Sequence, residues 1–146
     1  MATITTTQVA HRPAASPAAV LIRTLILALT IGTAVIHASL GGLLFLANAA
    51  GYATLALGLV LPGPFATQRW LVRLALAGFT AATIGAWFLF GGRFPLAYID
   101  KGLEVILIGL IGIELWQVDG GPRGIIGRLR DLATAARRRL TPRAGR

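Results

Sequence analysis

Apolar residues along this chain gather into four runs separated by glycine and proline rather than by polar loops. The runs cover about 21–40, 43–61, 70–90 and 96–116. As helices rising 1.5 Å per residue, each is long enough to cross a hydrocarbon core of ~30 Å. Apolarity on all sides, not confined to one stripe, is what a lipid-facing helix requires. The pattern therefore predicts an all-α integral membrane protein, a four-transmembrane-helix bundle over residues 19–118. Residues 1–18, a mixture of Thr, Ala and Pro without periodicity, read as a disordered leader, and residues 119–146 as a basic tail. Arg12 and Arg23 ahead of the first run would suit a secretory signal. That run, however, continues past His37 without a small-x-small cleavage site, which favours retention.

The punctuation fits the same reading. Only Gly41-Gly42 separates the first two runs, so they form a tight helical hairpin. Pro62-Gly63-Pro64 ends the second run, because proline lacks the donor a helix needs and restricts the residue before it. Gly91-Gly92 closes the third. Pro95 suits the first turn of the fourth, which stops at Gly120-Gly121-Pro122.

Orientation follows from the basic residues. With four spans both termini share one side, and that side holds Arg12, Arg23, Arg69, Arg73 and the arginines beyond Pro122, against Arg93 and Lys101 on the other. The excess marks an N-in/C-in protein of the inner cell membrane. Trp70 and Trp116 fall at one interface, and Trp87, Phe88, Phe90, Phe94 and Tyr98 at the other, as an aromatic belt would place them.

Composition agrees: 55% of residues are hydrophobic and 13% charged, where soluble domains carry about 25% charged residues. Cysteine is absent, which excludes disulfides, thiolate metal sites and Cys nucleophiles. The net charge of +9 could suggest nucleic acid, but eight of the 14 basic residues lie beyond Pro122, next to a span. There Ile125, Ile126, Leu129, Leu132, Ala133, Ala136 and Leu140 recur at helical spacing. Either an amphipathic helix rests on anionic headgroups through Arg128, Arg130, Arg137, Arg138 and Arg139, or a solvated tail only fixes topology.

Against this apolar background the polar residues stand out, since each must face protein or water. His37, Asn48, Tyr52, Asp100, Lys101 and Glu104 all fall in the outer half of the bundle and form one candidate intramembrane cluster. Asp100 and Lys101 suit a helix start, where acids complement the dipole and Lys101 can pair with Glu104 three residues on. Glu104 lies deeper, roughly 13 Å along the helix from Pro95. At that depth a carboxylate pairs or serves as a proton or cation relay. His37 could relay a proton, bond across helices or meet a haem. A second axial ligand within the spans is missing, so no cofactor and no metal is expected. Arg93, between Phe90 and Phe94, suits a headgroup or cation–π contact.

Small residues four apart (Ala47 and Gly51, Gly78 and Ala82, Ala81 and Gly85, Ala82 and Ala86), together with Gly109 and Gly112, point to close helix packing within or between chains. Phosphate loops, HExxH, nucleophile elbows and Ser/His/Asp sets are all missing. These features favour a structural, accessory or assembly component acting through helix association, as a homo-oligomer or within a larger membrane complex, and not an enzyme. One alternative is a proton-coupled small-molecule transporter using Glu104. A second is a membrane redox subunit with His37 near a quinone or haem.

Overall fold

The computed structural model describes residues 16–140 and is all-helical. The expected leader therefore lies outside the described residues, apart from its last three positions. Helix α1 spans Pro17–Leu40, α2 Leu43–Val60, α3 Pro64–Thr67, α4 Arg69–Phe90, α5 Pro95–Asp119 and α6 Gly121–Leu140. α1 starts four residues ahead of its apolar run because a cap, not hydropathy, sets its first turn. The Ser16 hydroxyl accepts from the Ala19 amide at 3.2 Å, and Pro17 has no amide to leave unpaired. Between α1 and α2, Gly41 and Gly42 both take positive φ, which L side chains rarely adopt.

Helices α1, α2, α4 and α5 pack side by side in a closed ring. Each packs its backbone against two neighbours, and the diagonal pair α2 and α5 meet only through long side chains. The chain alternates direction through the ring, so every neighbour is antiparallel. The short links at 41–42 and 91–94 mark one end, called here the hairpin end. The other end carries α3 and α6. Gly120 in the left-handed region closes α5, and the chain turns at once into α6, whose Ile125 packs against the core. The tail is thus helical as far as Leu140, and 141–146 lie outside the described residues.

The ring is built with its polar side in. α1 buries Ile26, Thr30, Thr33 and His37, and α4 buries Trp70, Arg73, Leu76, Thr80 and Thr83, both at spacings of three and four. The outside is apolar: Leu43 is 87% exposed and Phe90 86%, while Glu104 is 0% exposed. A water-soluble bundle has the reverse arrangement. Three helices, α1, α2 and α4, are long and apolar enough to cross a membrane. α5 has the length, but Asp100, Lys101, Glu104, Glu114 and Asp119 lower its hydropathy, and all five are buried inside the ring.

Not every small residue serves packing within the chain. A side chain at Gly51 would strike the Phe79 ring, and one at Gly58 would press on Val72, so these two glycines seat α4 side chains on α2. Gly78, Gly85, Gly109 and Gly112 instead face open space.

Candidate functional site

The polar residues of α1, α2 and α5 meet at the hairpin end. Glu104 is the hub. Its Oε1 accepts from the Tyr52 hydroxyl at 2.8 Å and from Thr83 Oγ1 at 3.0 Å, and its Oε2 pairs with Lys101 Nζ at 2.5 Å. The Tyr52 and Thr83 hydroxyl oxygens are 2.9 Å apart, and because each carries one hydrogen, a bond between them alternates with one of the two to Glu104. One carboxylate therefore ties α2, α4 and α5 together with both oxygens engaged. Leaving any of these groups unpaired in so dry a place would cost several kcal/mol, so the set stands or falls together.

Lys101 then reaches Asp100 Oδ2 at 3.0 Å, which leaves the third ammonium hydrogen uncommitted. The other Asp100 oxygen, Oδ1, is buried with no hydrogen-bond partner and lies 3.7 Å from His37 Nδ1. His37 Nδ1 is 3.0 Å from the Thr33 carbonyl, and because a carbonyl only accepts, Nδ1 carries the proton. In the neutral ring Nε2 is then a free lone pair, the tautomer that suits a base or a ligand. Thr33 Oγ1 beside it is likewise buried without a partner.

His37 and Asp100, though not Thr33, border a cavity of about 170 Å³ at the hairpin end. His37, Asn48, Thr83, Asp100 and Lys101 supply its polar lining, and Phe45, Trp87, Phe90 and Phe94 its aromatic lining. Asn48 contributes to the cavity without joining the bonded set. Arg93 stacks over Trp87 at 4.2 Å and donates to the Phe88 carbonyl, and the Trp87 indole donates to the Gly92 carbonyl. Those contacts brace the rim. His37, Asp100 and Glu104 hold ligand atoms within 4.8 Å of one another, a spacing that a metal ion could use. The Lys101 ammonium already sits against both carboxylates, so a cation would have to displace it.

A second network, at the α6 end, joins residues that the polar pattern did not single out. Glu114 accepts from Arg23 Nε at 2.8 Å and pairs with Arg73 Nε at 3.2 Å. Arg73 Nη1 continues to Asp119 Oδ2 at 2.6 Å, and Asp119 Oδ1 takes Arg128 Nη1 at 2.6 Å. Arg128 also lies over Trp70 at 5.8 Å. Of the tail arginines expected at headgroups, Arg128 is thus engaged inside the protein. Arg130, Arg137 and Arg138 lie on the exposed part of α6, and the side chain of Arg139 is outside the described residues.

Comparison with known protein families, curated proteins and solved structures gives no significant match. The reading of the site rests on its geometry.

Proposed function

We propose that the protein is a four-span component of the inner cell membrane whose hairpin-end cavity binds the head group of a small quinone- or quinol-class molecule. The observation that carries this reading is the pair of unused acceptors, His37 Nε2 and Asp100 Oδ1, beside an aromatic-lined cavity in a cluster where Glu104 is fully engaged. Ligand sites are mostly apolar hollows with a few convergent polar groups. Here a quinol hydroxyl would donate to His37 Nε2, and in the oxidised form a quinone carbonyl would accept the third hydrogen of Lys101. Asp100, on the far side of the imidazole, would stabilise the imidazolium if His37 took the proton.

The spanning arrangement draws support from α5 itself. All its charges point into the ring, while Ile99, Val105, Ile106 and Ile113 face outward. Arginine is concentrated at the α6 end, which favours a cytoplasmic position for that end and for both termini. The links at the hairpin end are too short for an external catalytic domain, so the protein acts as a binding or accessory subunit. Proton-coupled transport through Glu104 draws less support, because both of its oxygens already have partners.

The test is quenching of tryptophan fluorescence by a short-chain quinol in purified protein in nanodiscs. Trp87 borders the cavity, so saturable quenching that is lost in His37→Leu is the expected result. Equal quenching in His37→Leu, or none in the parent protein, would overturn the reading.

Association between chains is a second reading, favoured by the open space at Gly78, Gly85, Gly109 and Gly112 on α4 and α5. The absence of cysteine makes cross-linking clean. Gly109→Cys is expected to form a disulfide-linked species in native membranes, and monomer alone from both Gly109→Cys and Gly78→Cys would count against it.

A further inference from the structure

We infer that the α6 end holds a site for one anionic phospholipid, with its headgroup among Arg23, Arg69 and Arg73 and one acyl chain in the groove between α1 and α2. The inference rests on α1 and α2 spanning a membrane, but it is independent of the hairpin-end cavity.

A cleft of about 630 Å³ opens between α1, the end of α2, the start of α4 and α5. Arg23, Arg69 and Arg73 line it, and Glu114 is the only acid there. Arg73 is committed to Glu114 and Asp119, and Arg23 meets Glu114 through Nε. Arg69 has a buried Nε without a partner and a single long contact, from Nη2 to the Leu61 carbonyl at 3.5 Å. At this end four guanidinium groups (Arg23, Arg69, Arg73 and Arg128) stand near two carboxylates (Glu114 and Asp119), and among the described residues Arg69 pairs with neither. Two positive charges are therefore in surplus. Guanidinium forks match phosphate geometry, and their weak hydration suits a half-buried position.

The cleft does not end blindly. Leu27 and Val60 line both it and a second hollow of about 640 Å³, an apolar groove on the outer face of α1 and α2. Ala34, Ala38, Ala49, Ala53 and Ala56 keep that groove open. From Leu27 to Ala38 it runs about 16 Å along α1. One leaflet of a ~30 Å core is about 15 Å deep. A soluble anion would use only the cleft. A cationic cleft continuous with a one-leaflet apolar groove matches a phospholipid, and the charge surplus selects an anionic one.

The experiment is native mass spectrometry of the full chain after reconstitution in phosphatidylcholine containing phosphatidylglycerol. Retained phosphatidylglycerol should be enriched over its bulk ratio, and Arg69→Gln should lower that enrichment about fivefold, the effect of ~1 kcal/mol per headgroup charge. Ala53→Phe fills the groove without touching any charge and should also reduce retention, so it decides the matter if Arg69→Gln does not fold. Arg130→Gln, on exposed α6, and His37→Leu should leave retention unchanged. No enrichment in the parent protein, or parent-like enrichment in both Arg69→Gln and Ala53→Phe, overturns the site. So does an Arg130→Gln loss as large as that of Arg69→Gln, which would assign the lipid to the tail. Complete displacement by millimolar inorganic phosphate would also overturn it, by showing a free-anion site.

Discussion

The two ends of the ring solve the problem of buried charge in opposite ways. At the hairpin end one ammonium serves two carboxylates, hydroxyls complete the coordination, and acceptors remain over at His37 and Asp100. At the α6 end, guanidinium groups outnumber carboxylates and donors remain over at Arg69. One end therefore presents spare acceptors to a donor, and the other presents spare donors to an anion. They also differ in redundancy. Glu104 is irreplaceable because Tyr52, Thr83 and Lys101 all converge on it, whereas each acid of the arginine ladder has two arginine partners.

That contrast ranks the expected effects of substitution. Glu104→Ala should be the most damaging, at about 3–5 kcal/mol, since it leaves the buried Lys101 ammonium with Asp100 alone and removes the acceptor that Tyr52 and Thr83 share. Denaturant unfolding in mixed micelles would show this, with Glu104→Gln losing less because an amide oxygen still accepts. Arg73→Ala comes next, at about 1–3 kcal/mol, because Glu114 keeps Arg23 and Asp119 keeps Arg128. A larger loss for Arg73→Ala than for Glu104→Ala in the same assay would break the proposed asymmetry. Tyr52→Phe removes one of two donors to Glu104 Oε1 and should cost about 1 kcal/mol by the same measurement. Arg128→Ala should be nearly silent in global stability, about 0–1 kcal/mol, because its side chain is 42% exposed. Its signature belongs in hydrogen exchange, with faster amides in α6 and unchanged protection around Thr83. Protection lost at both ends together would show that the two networks are coupled.

Much of this was legible in the sequence because depth along a helix can be counted. Gly41-Gly42, Pro62 and Gly91-Gly92 set the register, and that register put His37, Tyr52, Asp100, Lys101 and Glu104 at one level. The fold does bring them together. Azimuth was the missing coordinate. Thr83 carries no charge and sits in an apolar run, so nothing marked it as the α4 donor to Glu104. Its spacing from Trp70, Arg73, Leu76 and Thr80 on one face of α4 was the available signal. Arg73 reads as a topology-setting charge near a span end, yet it is buried against Glu114 and Asp119. Asp119 lies past the fourth apolar run, at the first position assigned to the basic tail. Helix α5 extends over it because Gly120, not the end of hydropathy, closes the helix.

Between the two networks lies a layer of fully buried Leu107 and Ile111 from α5, with Ile26 and Leu76 from the neighbouring helices. The hydroxyls of Thr30 and Thr80 bond the carbonyls of Ile26 and Leu76 on their own helices. Glu104 and Glu114 are ten residues apart, about 15 Å along the helix. Among the described residues that layer holds no charged group, so it acts as a dielectric gap between the two networks. Substitutions in the two halves should therefore sum without a coupling term.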